Sequence, residues 1–220
     1  MSVFTDKWID EHKDELVEKL QQCVRINSVR DDDSTREGAP FGEGAAKCLE
    51  DTLNTAKEMG FEVKNLDGYC GTVDYGTGEE QLGILAHLDV VPEGEGWTYP
   101  PYAAEIADGR IYGRGTMDDK GPAVCAIYAL AAIKAAGIPM RRRVRIILGT
   151  NEETGWGCMD HYRKVAEIPT LTFSPDADYP VVNSEKGIYH ATMRCNAKTN
   201  IRINGGTRAN VCLLYTSDAA

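Results

Sequence analysis

The chain has 220 residues, 42% hydrophobic and 26% charged, with a formal net charge of −10. That is enough for one ordinary core and the start of a second lobe, while the acidic surplus disfavours nucleic acid as a partner despite the run Arg141-Arg142-Arg143-Val144-Arg145. The N-terminus lacks a basic region followed by an apolar one, and no apolar run reaches the roughly 18 residues of a membrane span, so secretion and membrane partners are not expected. Seven cysteines, odd in number and without CxxC spacing, fit reduced thiols and a cytoplasmic protein.

In chain order, Trp8, His12, Leu16, Leu20 and Val24 recur at helical spacing and predict a surface helix over 5–26. Residues 30–44 are acidic and glycine-containing and read as a loop, in which Asp31-Asp32-Asp33 is a solvated run. A second helix over 45–59 ends at Gly60. Short strands follow at 61–64 and 72–75, then an apolar strand over 81–86. Asp108-Gly109 marks a hairpin turn between 103–105 and 111–112. An alanine-rich helix over 121–136 ends at Gly137 and Pro139. A strand over 144–148, a helix over 158–167 and a strand over 170–173 complete a β-α-β alternation. The expected fold class is therefore α/β, a mixed, largely parallel sheet with helices on both faces.

Beyond Pro180 the character changes. Residues 187–195 read as a strand with alternating exposure, followed by Asn204-Gly205-Gly206, as if a separate, smaller domain begins. The expected organisation is a catalytic domain over 1–182, the beginning of an α+β lid over 183–212 and an atypical tail over 213–220.

Active-site groups in such sheets sit at the carboxyl ends of strands, and this chain repeatedly places a His or an acid there. His87-x-Asp89 follows the strand over 81–86. The i,i+2 spacing on extended backbone would put both side chains on one face, the imidazole for a metal and the carboxylate on its other N–H. Asp118-Asp119 stands at a helix start, where acids also complement the helix dipole, but a carboxylate between two cations is the sharper reading. Glu152-Glu153 closes the strand over 144–148. In extended backbone the two would diverge, one towards metal and the other free to act as general base. Asp176 supplies a further oxygen at a strand end, with Asp178 as its competitor. Imidazole and carboxylates together suit divalent ions such as Zn or Mn, so a metal-assisted hydrolase is expected.

The stretches Leu85-Ala86-His87-Leu88-Asp89-Val90-Val91-Pro92, Gly96-Trp97, Asp108-Gly109-Arg110-Ile111-Tyr112-Gly113-Arg114-Gly115, Asp118-Asp119-Lys120-Gly121, Asn151-Glu152-Glu153-Thr154-Gly155 and Ser174-Pro175-Asp176-Ala177-Asp178-Tyr179-Pro180 resemble the M20 family of metallopeptidases. Within it they are most similar to bacterial dipeptidases of the PepV and Sapep types. The resemblance implies a zinc-peptidase-like catalytic domain with an inserted lid, two divalent metal ions (Zn or Mn), and a dipeptide or short peptide as substrate. By the same analogy His87 and Asp176 hold one metal, Glu153 the other, and Asp118 bridges both, with Asp119 the alternative bridge. Asp89 and Glu152 are then catalytic, Asp89 orienting His87 and Glu152 serving as general base. Asn210 is a substrate-binding candidate from the lid, though it also suits a turn.

The family's dinuclear centre draws on five protein ligand positions, and the resemblance supplies four here. The fifth, a histidine near the family's C-terminal end, is not matched by His12, His161 or His190. The expectation is a chain cut off inside the lid, with an incomplete second metal site and little activity by itself. N-acyl amino acid deacylation with the same metal core, and a catalytically silent homologue, are the competing functions. A dinucleotide-binding reading of Gly113-x-Gly115 is weak, because that motif follows a hairpin.

Overall fold

A computed structural model of the protein describes residues 3–178 and, beyond them, 181–184, 186, 187, 189, 191, 192, 194 and 196. The chain divides into two units, Met1–Ala177 and Asp178–Ala220. Asn210, the tail over 213–220 and part of the strand expected over 187–195 lie outside the described residues.

The first unit opens with α1 (Val3–Arg25) and α2 (Glu43–Glu58). A strand pair follows, β1 (Glu62–Leu66) and β2 (Cys70–Tyr75), and then β3 (Gln81–His87). The hairpin is β4 (Glu105–Ala107) with β5 (Arg110–Tyr112), turning through Asp108 and Gly109 at φ 50° and 71°, the positive values a tight two-residue turn requires. The remaining elements are α3 (Lys120–Ala135), β6 (Arg143–Gly149), α4 (Gly157–Val165) and β7 (Leu171–Phe173). Every element expected in this unit forms, with ends shifted by a residue or two.

The main sheet has the order β1-β2-β6-β3-β7. It is mixed: β6-β3-β7 is parallel, whereas β1-β2 and β2-β6 are antiparallel. The β3–β6 register aligns His87 with Gly149, so both strands end on the same rim.

Alternation along β6 builds two cores. Val144, Ile146 and Leu148 join Ala86, Val73 and the apolar faces of α1, α2 and α3. Ile147 points the other way, to Cys70, Phe41, Cys158 and Tyr162, where α4 covers the sheet. In α2 the buried residues Ala45, Cys48, Leu49, Thr52, Leu53 and Ala56 trace one stripe at helical spacing. Gly71 on β2 lies under that stripe, and a Cβ there would stand 2.9 Å from methyl groups of both Leu49 and Leu53. Gly71→Ala is expected to lower stability by about 1–2 kcal/mol through overpacking, read from the urea unfolding midpoint.

The arginine run flanks and enters β6 and is matched by acids. Arg142 meets Glu80 at 2.7 Å, Arg143 meets Glu167 at 2.8 Å, and Arg145 meets Asp74 at 2.7 Å across the β2–β6 pair. The Asp31 run is solvent-exposed and forms a short 3-10 turn over Asp32–Ser34, capped by the Asp31 carboxylate, which accepts from the Asp33 N–H and the Ser34 hydroxyl.

Candidate metal centre

The candidate residues gather where β3, β6 and β7 end, at the rim expected for an α/β sheet. His87 closes β3 and is 3% exposed. Its Nε2 is 3.0 Å from Asp118 Oδ1 and 3.5 Å from Asp176 Oδ2, so groups far apart in sequence meet on one nitrogen. Its Nδ1 is 2.9 Å from the backbone carbonyl of Asp89 and 3.5 Å from that residue's carboxylate. A carbonyl only accepts, so Nδ1 carries the proton in a neutral ring and Nε2 is left for a metal. The tautomer is thus set mainly by the Asp89 backbone, where the i,i+2 argument assigned it to the side chain.

The Asp89 carboxylate has another role. Buried at 2% exposure, it accepts the N–H groups of Glu152 at 2.9 Å and Glu153 at 3.1 Å. Those glutamates were expected on extended backbone, but they occupy a turn over 152–155. A donation from the Trp156 N–H to the Asn151 carbonyl at 2.8 Å closes it. Asn151 is also buried, its side-chain oxygen accepting the Gly157 N–H at 3.0 Å and its amide donating to Thr154. A turn anchored at both ends, rather than strand alternation, therefore aims the glutamates.

Asp118 and Asp119 divide their work. The Asp118 side chain is 63% exposed and reaches the His87 ring, whereas Asp119 is fully buried and accepts the His87 backbone N–H on Oδ2 at 3.0 Å. Asp119 is the anchoring residue that reading the acids as ligands missed. The apolar run over 82–86 leading into His87 held the hint, since the last N–H of a buried strand needs an acceptor.

Two groups of potential ligand atoms, each within 4.8 Å of one another, share the imidazole: His87, Asp118 and Asp176, and His87, Glu152 and Glu153. One imidazole among carboxylate oxygens is the donor set that divalent ions of the Zn and Mn type accept. The electrostatics fit such an ion. Burial would push the His87 ring down, but its hydrogen bonds to Asp118 and Asp89 and the charges of Asp89 and Asp119 prevail and hold it at about 11. The bond to His87 keeps Asp118 below its usual range. Burial pushes Glu153 up to about 7, with Asp118 adding to it, and raises Glu152 as well. Asp119 is also raised to about 7 by burial, and its Oδ1 is buried with no hydrogen-bond partner among the described residues. Crowded, partly buried carboxylates of this kind are relieved by a cation in their midst.

His12 and His161 stand apart and act in packing. His12 stacks on Trp8 within α1, and His161 stacks on Tyr69 and meets Asp67 at 3.0 Å.

Fold and site together define an α/β protein with a candidate hard-metal centre at the strand ends. The chain belongs to Peptidase family M20/M25/M40, whose model matches residues 83–213. It is 48% identical over 181 residues to "Putative dipeptidase YtjP" of Bacillus subtilis (strain 168), covering 82% of this chain and 39% of that protein. It is 43% identical over 178 residues to Beta-Ala-Xaa dipeptidase of Lactobacillus delbrueckii subsp. lactis, covering 80% of this chain and 38% of that one. Among solved structures, human carnosine dipeptidase 1 superposes with a TM-score of 0.62 at 26% identity, over 73% of this chain and 37% of that one. The chain thus spans well under half the length of these relatives. Among the described residues no helix is long and apolar enough to cross a membrane.

Proposed function

We propose that this chain is the N-terminal part of a metal-dependent dipeptidase, with residues 1–182 belonging to its catalytic domain, 183–212 beginning a lid and 213–220 an atypical tail. The observation that carries the reading is the meeting of His87 Nε2 with the Asp118 and Asp176 carboxylates, beside the Glu152-Glu153 turn. Its dipeptidase relatives favour a dipeptide or short peptide as the substrate. His87 and Asp176 would hold one of two divalent ions, Zn or Mn, Glu153 the other, and Asp118 would stand between them. When bound, the ions supply Lewis acidity that polarises the scissile carbonyl and strengthens water as a nucleophile.

The protein's own groups do the rest. Asp89 holds the turn that presents Glu152, and its carbonyl keeps the His87 proton on Nδ1. Glu152, whose carboxyl is raised by burial, takes a proton from the attacking water as the C–O bond forms. It returns that proton to the nitrogen as the C–N bond breaks, leaving an acid and an amine. Asn210 is a proposed substrate contact from the lid segment. Cys23, Cys48, Cys70, Cys125 and Cys158 are free thiols, which suits a cytoplasmic setting.

The test is hydrolysis of unblocked dipeptides against N-acetyl amino acids by the full-length enzyme. Turnover confined to unblocked dipeptides is expected. Turnover confined to the N-acetyl compounds would replace this reading with deacylation by the same site.

A further inference from the structure

The side chain of Lys120 is fully buried, although it is the first residue of α3 and directly follows Asp118-Asp119. A helix N-terminus disfavours a cation, and removing an ammonium from water costs several kcal/mol unless it is well bonded. Lys120 Nζ donates to the carbonyls of Cys23 at 3.1 Å and Ile26 at 2.8 Å, at the end of α1. The Cys23 carbonyl, in the last turn of α1, also accepts the Ile26 N–H at 3.2 Å, and the Ile26 carbonyl stands just past the helix, so both lie at its negative pole. The fold makes room for the stem: a Cβ on Gly115 would stand 3.1 Å from Lys120 Cδ. The Lys120 N–H also bonds the Gly115 carbonyl at 3.1 Å, closing the loop that carries both aspartates.

Resting on the metal-centre reading above, we infer that Lys120 is a positioning residue: it ties the Asp118-Asp119 segment to the end of α1, so that Asp118 and the His87 ring meet in ligand geometry. Three consecutive residues then divide one task. Asp118 reaches the imidazole, Asp119 holds the His87 backbone, and Lys120 fixes the segment that carries them. Apolar packing alone does not explain a lysine here, because a methionine of similar length would fill the slot without the desolvation cost.

The test compares the 220-residue chain with its Lys120→Met variant, reading the urea midpoint and the calorimetric affinity for Mn²⁺ and Zn²⁺. The expected result is an unchanged or higher midpoint with an affinity lower by about 10-fold or more, the usual effect of removing a group that orients a ligand. A merely structural lysine would give the reverse, a lower midpoint with parental affinity in the folded protein, and that would overturn the inference. If Lys120→Met does not fold, Lys120→Gln, too short to span both carbonyls, is read the same way: weakened affinity supports the tie and parental affinity overturns it. Failure of both variants to fold would make Lys120 a structural residue and end the inference. A parent chain that binds neither metal would bring down the underlying metal-centre reading instead.

Discussion

Glu152→Gln in the full-length enzyme is expected to lower kcat by about 10²- to 10⁴-fold, the usual worth of a positioned general acid and base. Metal content should be unchanged. Gln keeps the size of the side chain and the backbone N–H that Asp89 accepts, so the 152–155 turn stays anchored. What disappears is the ability to take a proton from water and deliver it to the leaving amine. Steady-state kinetics with metal analysis separates the cases. Parental turnover at parental metal content would remove Glu152 from the base role, and loss of metal would recast it as a ligand.

Asp89→Ala is expected to destabilise the chain by about 3 kcal/mol and to weaken metal binding as well. The carboxylate is buried and accepts two backbone N–H groups, and hydrogen bonds to a charged acceptor are worth about 1.5–3 kcal/mol each. Truncation strands both donors and frees the turn that carries Glu152 and Glu153. Because the Asp89 carbonyl, the nearer partner of His87 Nδ1, survives the substitution, the tautomer should be retained. The damage should therefore fall on the glutamate turn. Urea unfolding gives the first quantity and metal titration of the folded variant the second. A variant as stable as the parent would show that the turn holds without its anchor.

Periodicity made most of the first unit legible. The α2 stripe, the Asp108-Gly109 turn and the apolar run of β3 each have one local solution, and each forms as expected. The acids at strand ends were legible for a related reason, since parallel strands β3, β6 and β7 must finish on one rim. Strand order was not: nothing local in β1 or β2 says that their hairpin adds to β6 in antiparallel sense. The roles of neighbouring acids were hidden too. Asp118 and Asp119 are the same residue type, and only the backbone path sends one to the His87 ring and buries the other under its N–H. Glu152 and Glu153 read as the end of a strand because β6 precedes them, yet Asn151 and the Asp89 carboxylate fold them into a turn. Lys120 was the least legible, since lysines are almost never fully buried and its partners are carbonyls about a hundred positions earlier.

The central claim is that His87, Asp118 and Asp176 form one place for a divalent metal, beside the turn that carries Glu153. Calorimetric titration of Mn²⁺ and Zn²⁺ into the metal-free chain, with His87→Ala titrated alongside, tests it most directly. Saturable binding to the parent chain and its loss in His87→Ala are expected, because Asp118 and Asp176 converge on the imidazole nitrogen. Equal binding by the two proteins, or none by the parent, would contradict it.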